Sequence, residues 1–380
     1  MGAACTAAPS KRQPAGVAVS TLITIALDAL AAKYHYCRDR LAPATCAAVV
    51  KADAYGLGIT RIAKTLHHAG CRQFFTATHR EGITLRGLLP DAEIYVFEGV
   101  TGQSAGDFSD HDLVPVLITP DQASTWAQRA RDHGAPLAAV IDIDTGMTRL
   151  GFGERELRQL LDRCADLDWL DLRYVMTHLA CADERGSSMV HKQVQSFDRL
   201  RRLLPPARTS IGNSAGSLLG PESAGDMARL GLVLFGGNPY LDAEHQAEPV
   251  LRIQSRILQL REISEPTPVG YSATYTAAPG TRIATVGTGY ADGYPWSLAN
   301  RGVAVIGGHR VPIVGRVSMD LITLDVTGVP DELVQPDCLV DLIGPDISLE
   351  EVAQRAGTIN YEILTRLSQR ARRRYLGGPT

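Results

Sequence analysis

Three features are missing from this sequence, and each absence excludes a class of protein. No window approaches the ~20 apolar residues that a membrane-spanning helix requires. The net charge is −3, so a general nucleic-acid binder is not expected. The seven cysteines are scattered and include no Cys-x-x-Cys pair, which argues against structural zinc and fits free thiols in a reducing compartment. We therefore expect a cytoplasmic protein without a bound metal.

The size and composition predict a two-domain globular protein. The chain has 380 residues, of which 45% are hydrophobic and 21% charged, so a large core can form. Residues 1–19 are rich in Ala, Pro and Ser and contain no apolar segment long enough for a signal peptide. We expect a flexible tail at residues 1–19, a first domain at residues 20–250 and a second at residues 251–380.

The first domain alternates short apolar runs with longer amphipathic ones. The runs are almost continuously apolar, as in parallel strands that are covered on both faces. Between them, apolar residues recur at helical spacing, for example at Ile59, Ile62, Ala63 and Leu66. Eight such strands predict a (β/α)₈ TIM barrel. The alternative is an open doubly wound sheet, but no Gly-x-Gly-x-x-Gly follows the first strand. The predicted strands are Cys46–Lys51, Gln73–Thr78, Glu93–Glu98, Leu113–Thr119, Leu137–Asp144, Leu172–His178, Thr209–Asn213 and Met227–Leu234.

The second domain is predicted to be mainly β. Its strand-like runs are separated by Gly, Pro and Asp turns, and helices are predicted only at Leu349–Ala356 and Tyr361–Arg372. The basic run Arg370–Arg374 is interpreted as a solvated helix face, with steering of phosphate as the alternative. The early run Thr21–Ala26 is expected to pair with this domain. The predicted strands are Ile253–Leu260, Arg282–Thr288, Gly302–Ile306, Val311–Val317, Leu321–Val326 and Cys338–Leu342.

Reactive side chains concentrate where the barrel strands end. One such residue, alone, is more often structural than functional, but here they follow four or five different strands. Active sites of barrels lie at the C-terminal ends of their strands, so one shared site is predicted. The residues are Lys51, Asp144, Arg149, His178, Ser214 and Arg229.

Eight motifs occur in order between about residue 20 and the end of the chain: AVVKADAYGLG, DTGMTRLGF, THLACADE, NSA, ARLGLVLFG, VGYSATYTA with GYADGY, VGRVSMD and INYE. In this order they resemble the motifs of the alanine racemases, two-domain barrel enzymes that use pyridoxal phosphate. The first motif, around Lys51 and Tyr55, and the Met319-Asp320 motif are the most specific.

The resemblance implies how the cofactor is held. Lys51 is the residue that binds the aldehyde of pyridoxal phosphate covalently. Arg229 lies against the pyridine nitrogen, which then stays unprotonated because arginine cannot accept a proton. His178 holds the orientation of Arg229. The groups implied to bind the phosphate are Tyr55, Ser214, Tyr361 and the backbone of Gly231 and Leu232.

The resemblance also implies a two-base racemisation of a small amino acid, most simply alanine, that supplies D-alanine for peptidoglycan. Lys51 takes the α-proton of the D isomer and Tyr271 that of the L isomer. Tyr271, Tyr290 and Met319 come from the second subunit of a homodimer. The Met319 N–H and Arg149 bind the substrate carboxylate, Tyr290 narrows the entrance, and Asp320 supports this motif.

One position departs from the family pattern. Many members carry a lysine two residues before the Asp-Thr-Gly-Met motif, where it forms a carbamate that positions the nearby arginine. This chain has Asp142 there. Our hypothesis is that its carboxylate positions Arg149 without modification; the alternative is a solvated charge at the end of a strand.

Rival functions lack part of their sequence signature. A racemase of broader specificity that includes serine is not excluded. A barrel decarboxylase needs a glycine-rich phosphate loop and a cysteine–acid pair, where this chain has Ser318-Met319-Asp320. A metal-assisted D-threonine aldolase or D-serine dehydratase needs a His/Cys pair near the C-terminus, and no His follows Cys338. A non-enzymatic pyridoxal-phosphate carrier resembles only the barrel, whereas this chain is predicted to have a second domain that contains Tyr271.

Overall fold

A closed barrel followed by a mainly β region forms the architecture. The computed structural model describes residues 21–240 and 249–378. The predicted tail at residues 1–19 lies outside these described residues. Among them, no helix is long and apolar enough to cross a membrane.

Eight parallel strands close the barrel, and its last strand pairs with its first. The predicted (β/α)₈ barrel is therefore confirmed. All eight strands end two to four residues before their predicted C-terminal ends, because the apolar pattern continues into the loops that follow. The strands are β2 (Thr45–Val49), β3 (Gln73–Thr76), β4 (Glu93–Val96), β5 (Leu113–Leu117), β6 (Leu137–Asp142), β7 (Leu170–Met176), β8 (Arg208–Ser210) and β9 (Met227–Leu230).

The barrel helices bury the apolar stripes that their sequences display. In α3, Ile62, Ala63 and Leu66 are fully buried, as the helical spacing predicts. Thr78 and Thr119 cap the N-termini of α4 and α6 through their side chains, which satisfies backbone N–H groups that have no partner within the helix. The helices are α1 (Leu27–Leu41), α2 (Lys51–Tyr55), α3 (Ile59–His68), α4 (His79–Leu88), α5 (Ala105–Asp110), α6 (Pro120–His133), α7 (Glu154–Asp162), α8 (Cys164–Leu167) and α9 (Ser188–Arg201).

The second region is built around one long strand. β10 (Leu251–Glu262) pairs with two strands of this region and with β1 (Thr21–Ala26), which comes from before the barrel. This is the predicted partner for residues 21–26. The remaining strands are β11 (Thr267–Val269), β12 (Tyr275–Ala277), β13 (Arg282–Val286), β14 (Val303–Ile306), β15 (His309–Pro312), β16 (Ile322–Asp325), β17 (Leu339–Ile343) and β18 (Arg372–Leu376).

The prediction for the C-terminal segment was wrong in part. Helix α10 (Leu349–Ala356) is as predicted, but α11 spans only Asn360–Thr365. The basic run lies outside any helix and leads into β18, which pairs in parallel with β1. The edge of β1 offers backbone hydrogen bonds that a sequence pattern cannot reveal, and the arginine side chains of the run bind acidic and carbonyl oxygens nearby.

The backbone directly after Lys51 turns in the left-handed sense. Lys51 does not close the first barrel strand, as predicted, but begins α2, in which residues 52–55 all have φ between 53° and 55°. Such residues cost about 1–2 kcal/mol each when they are not glycine. Surrounding contacts offset this cost: the Ala52 N–H donates to Glu81 at 2.8 Å, and Asp53 accepts from the Ile59 N–H at 2.7 Å.

The C-terminal segment braces the same turn. Arg373 donates to the carbonyl of Gly56 at 2.7 Å, and the Tyr375 hydroxyl donates to the carbonyl of Leu57 at 2.8 Å. A Cβ on Gly56, whose φ is +80°, would lie 2.6 Å from the carbonyl oxygen of Leu364. This close approach fixes the turn, and with it Lys51, against the second region.

We predict that Gly56→Ala destabilises the protein more than Gly134→Ala does. Gly134 has nearly the same φ, +82°, but its Cβ would have no neighbour within 4 Å. Both substitutions carry the left-handed penalty of about 1–2 kcal/mol, and only Gly56→Ala adds overpacking of about 1–3 kcal/mol. Urea unfolding of both variants measures the difference. Equal destabilisation would show that the approach to Leu364 does not matter.

Candidate active site

A cavity of about 160 Å³ opens at the C-terminal end of the barrel strands. It is lined by side chains that follow five different strands, as the convergence of reactive residues predicts. Of the predicted site residues it contains Lys51, Asp142, Arg149 and His178. The other described residues of its lining are Ala77, Phe97, Ile143, Asp144, Met147, Leu150, Met176 and Thr177.

Lys51 is held in a setting that favours its neutral amine. Burial lowers the pKa of Lys51, and the charges of Arg149 and Arg229 lower it further, against the opposing charge of Glu81. The Nζ atom lies 5.5 Å from the centre of the Phe97 ring. A neutral amine can act as a nucleophile and accept a proton, so this lysine is suited to both tasks.

Arg229 is a buried cation with most of its donors in use. Its side chain is only 2% exposed. Nη1 donates to the Ser210 hydroxyl at 2.7 Å, and Nη2 donates to the Thr177 carbonyl at 2.7 Å. Burial lowers the pKa of Arg229 to about 10, so the group stays protonated near neutrality. Its Nε is buried and has no hydrogen-bond partner in the described structure, which leaves one donor for an acceptor bound in the site.

The contact with Arg229 fixes the tautomer of His178. Arg229 Nη2 lies 3.3 Å from His178 Nδ1. A guanidinium has donors only, so Nδ1 is the acceptor and the imidazole proton is on Nε2. Burial, followed by the charges of Arg229, Arg149 and Lys51, lowers the pKa of His178 to about 3. The imidazole is therefore neutral at physiological pH.

A second group of predicted residues surrounds the ends of β8 and β9. The Ser214 hydroxyl accepts from the N–H of Gly231 at 3.1 Å. A Cβ on Gly231 would lie 2.4 Å from the Tyr55 hydroxyl, so only glycine leaves room here. The rings of Tyr55 and Tyr361 are 5.9 Å apart. Hydroxyl and backbone N–H donors are thus gathered where barrels commonly bind phosphate. Leu232, the other residue predicted to offer its N–H, is buried beside Gly231.

The loop that carries Arg149 is closed by its own backbone. The Phe152 N–H donates to the Asp142 carbonyl at 2.7 Å, and the Asp144 N–H donates to the Phe152 carbonyl at 3.1 Å. The Asp144 carboxylate accepts from the N–H groups of Gly146 and Thr148, at 2.9 and 3.0 Å. These bonds hold Arg149 at the mouth of the cavity.

Asp142 is buried rather than solvated. Burial raises the pKa of its carboxyl to about 7, although the charges of Arg229 and Arg149 oppose the shift. The alternative of a solvated charge at the end of a strand is therefore wrong. The carboxyl faces the cavity beside two cations, and its pKa lies close to neutral pH.

None of the five predicted residues of the second region lines this cavity within one described chain, although the Tyr361 ring lies beside Tyr55. Tyr271, Tyr290 and Met319 are 70%, 41% and 53% exposed, on loops of the second region. Asp320 forms an ion pair with Arg370 at 2.8 Å. One described chain therefore supplies only part of the predicted site.

Sequence reasoning missed several residues that shape the site. Phe97 and Ala77 line the cavity directly after β4 and β3, so the strand-end rule itself would have found them. Glu81 holds the N–H of Ala52, and Arg373 braces the turn at Gly56. No sequence signal marks these two, because both act through tertiary contacts to backbone atoms.

Family models match almost the whole described chain. The alanine racemase N-terminal domain matches residues 25–239, and the alanine racemase C-terminal domain matches residues 250–375. The chain belongs to the alanine racemase family. The resemblance inferred from the motifs is therefore confirmed.

Individual alanine racemases are similar over nearly their full length. One from Rhodospirillum rubrum is 45% identical over 360 residues, which is 94% of this chain and 96% of that protein. The crystal structure of alanine racemase from Bartonella henselae with covalently bound pyridoxal phosphate has a TM-score of 0.91 at 34% identity, over 94% of this chain and 100% of that one. The biosynthetic alanine racemase of Pseudomonas aeruginosa has a TM-score of 0.88 at 32% identity, over 95% and 100% of the two chains.

We predict that His178→Asn gains stability relative to the wild type as the pH falls. The pKa of His178 is about 3 when folded, against 6.5 for an ordinary imidazole. Between these values the unfolded chain binds the extra proton, so the wild type loses stability as the pH falls, by at most about 1.4 kcal/mol per pH unit. Asn does not titrate, so it removes this pH-dependent loss of stability, and its side-chain oxygen still accepts a hydrogen bond from Arg229. Urea unfolding at pH 7, 6 and 5 measures the difference.

His191→Asn, at an exposed position on α9, controls for the loss of an imidazole as such. The contribution of Asp142 is present in both proteins and cancels in the comparison. A difference in unfolding free energy that does not change with pH would contradict a buried, neutral His178.

Proposed function

We propose that this chain is a pyridoxal-phosphate-dependent racemase that interconverts L- and D-alanine. The observation that carries the proposal is the buried Arg229, whose Nε has no partner among the described residues, in a barrel whose cavity is lined by a lysine with a lowered pKa. An unprotonated pyridine nitrogen is an acceptor that suits such a donor. Membership of the alanine racemase family supports the same substrate.

The residues present fit the cofactor. When bound, pyridoxal phosphate withdraws electrons from the α-carbon of an amino acid and so makes its proton removable. Lys51 would hold its aldehyde. Tyr55, Ser214, Tyr361 and the N–H groups of Gly231 and Leu232 would hold its phosphate, since they gather donors where the missing Cβ of Gly231 leaves space. Arg229, oriented by His178, would hold its ring nitrogen.

Two residues would move the α-proton on opposite faces of the substrate. Lys51 Nζ takes or returns the proton on the face of the D isomer, for which its lowered pKa suits it. The Tyr271 hydroxyl serves the face of the L isomer. One base removes the proton from one face of the α-carbon and the other base returns a proton to the opposite face. The configuration of the α-carbon therefore inverts.

Tyr271 would reach the site from a second subunit. Five large apolar side chains on loops of the second region are each at least 39% exposed, and we call them the apolar loop face. They are Tyr271, Tyr290, Trp296, Met319 and Leu321. The loops that carry them are neighbours: the Arg316 guanidinium lies 5.7 Å from the Trp296 ring centre, and the Tyr290 N–H donates to the Ser318 carbonyl at 3.1 Å. An exposed apolar patch of this kind is typical of a protein interface. A homodimer would bring it over the partner's barrel.

The substrate would be small and bound by its carboxylate. Arg149 and the partner's Met319 N–H would bind the carboxylate, and Tyr290 would narrow the entrance. Serine differs from alanine by one hydroxyl, so a racemase of broader specificity is the alternative. We further propose that the enzyme works in the cytoplasm and supplies D-alanine for peptidoglycan. A panel of amino acids of both hands, followed by α-proton exchange in heavy water, tests the substrate.

Subunit mixing tests the shared site. Lys51→Ala and Tyr271→Phe, each alone, should abolish racemisation, and Tyr271→Phe should keep the cofactor's absorbance. Mixed dimers pair an intact Lys51 with an intact Tyr271 in one of their two sites. Refolding the two variants together in equal amounts should therefore restore about a quarter of the wild-type activity.

Refolding each variant with itself is the matched control. If the mixture stays as inactive as its two components, both bases come from the same chain, and the proposal of a shared site is lost.

We also predict that Asp142→Asn raises KM for alanine about fivefold, which corresponds to about 1 kcal/mol of lost substrate binding. The carboxylate charge stabilises Arg149 at the cavity mouth, and Asn removes that charge without changing the size of the side chain. Asp171→Asn, on the exposed part of β7 in an ion pair with Arg173, is the control. An unchanged KM in Asp142→Asn would assign Asp142 no part in substrate binding.

A further inference from the structure

We propose that Arg370 is a positioning residue for the substrate, acting through the two loops that carry Tyr290 and Met319. The proposal rests on the proposed function, because it concerns the residues that would shape the partner's entrance. Arg370 belongs to the basic run that sequence analysis took for a solvated helix face. Its contacts are specific instead.

Arg370 joins an acidic residue from each of the two loops. Its Nε lies 2.8 Å from one carboxylate oxygen of Asp292, and its Nη2 lies 2.9 Å from the other. The same Nη2 lies 2.8 Å from Asp320. Asp292 follows Tyr290 by two residues, and Asp320 follows Met319 directly. One guanidinium thus ties the Tyr290 loop to the Met319 loop.

The two loops also touch each other through their backbones. The Tyr290 N–H donates to the Ser318 carbonyl at 3.1 Å, and the Ala291 N–H donates to the Met319 carbonyl at 3.0 Å. A Cβ on Gly289 would lie 2.3 Å from the Ser318 carbonyl oxygen, so the contact leaves no space for a side chain. A shift in one loop therefore moves the other.

The segment that carries Arg370 is itself anchored to the barrel. The Ser368 N–H donates to the Asp292 carbonyl at 3.1 Å. A few residues further on, Arg373 donates to the Gly56 carbonyl in the turn after Lys51. Arg370 thus fixes the loops that would reach the partner's site relative to the turn that presents Lys51 in its own chain.

The chemistry requires arginine at this position. Asp292 is 5% exposed, and its remaining hydrogen bond comes from the Gly289 N–H at 2.9 Å. Without the guanidinium, a buried carboxylate is left without its cation, and it can regain solvation only if the loop moves. The planar guanidinium of arginine contacts both oxygens of Asp292 and, at the same time, Asp320. The ammonium of a lysine is a point charge and lacks this fixed fork of donors. Loss of the Arg370 guanidinium is therefore expected to change the geometry of the loops, because the exposed ion pair with Asp320 contributes little by itself.

The test compares steady-state kinetics of cofactor-loaded variants with alanine and serine. Arg370→Gln should raise KM for alanine about tenfold and lower the preference for alanine over serine in kcat/KM, with cofactor content unchanged. Arg370→Lys should restore part of both. Asp320→Asn, at an exposed position, should change both in the same direction by less. Arg366→Gln is the matched control, since Arg366 makes an exposed ion pair with Glu362 on the same segment and should leave both unchanged.

Unchanged KM and unchanged preference in Arg370→Gln overturn the proposal, even if the melting temperature falls, because Arg370 would then be only structural. If Arg370→Gln does not fold, Arg370→Lys decides, because lysine keeps the charge but loses the planar fork: a KM above that of the wild type supports the proposal and an unchanged KM overturns it. If the wild-type protein racemises no amino acid, the proposed function itself fails and takes this proposal with it.

Discussion

One buried cation adds to the effect of burial on the protonation of three groups in the candidate site. Arg229 lies inside the barrel wall, where an unpaired charge would be costly, and it is tolerated because Ser210 and the Thr177 carbonyl accept its hydrogen bonds. Its charge helps to keep His178 neutral and lowers the pKa of Lys51. It also favours the anionic form of Asp142, which burial opposes. Burial is the largest cause of the pKa shifts of Lys51, His178 and Asp142, and the charge of Arg229 acts on all three as well.

The position of Lys51 depends on residues more than 300 positions further along the chain. Four consecutive left-handed residues follow the lysine, at a cost that the nearby contacts of Glu81 and Asp53 help to offset. Further compensating contacts come from Arg373 and Tyr375, which hold the carbonyls of Gly56 and Leu57. β1 and β18 pair in the sheet of the second region, so the barrel's reactive turn is fixed by the domain that follows it. The second domain thus acts on the barrel of its own chain.

Much of the barrel and its site could be predicted, and the errors have physical causes. Apolar runs and the strand-end rule located Lys51, Arg149, His178 and Arg229, because these follow from local pattern and barrel geometry. The basic segment that leads into β18 was assigned to a helix because charged side chains carry no periodicity that separates a strand from a helix. Tyr271 does not line the cavity of one described chain, and its place in the site stays a prediction that depends on the proposed second subunit. The left-handed turn was invisible because Ala52 and Ala54 do not favour it.

Asp142 stands where many family members have a lysine, and it would act through its charge rather than through the length of its side chain. A carbamate on a lysine extends several atoms beyond an aspartate, so a carboxylate at the end of β6 cannot position Arg149 in the same way. In this chain other bonds also hold the loop of Arg149: it closes through Phe152, and Asp144 holds the N–H groups of Gly146 and Thr148. We propose that Asp142 acts by placing negative charge beside Arg149 and Arg229, which a buried carboxyl with a pKa of about 7 can do without carbon dioxide. Substrate binding would then follow the charge of this carboxyl rather than the occupancy of a carbamate.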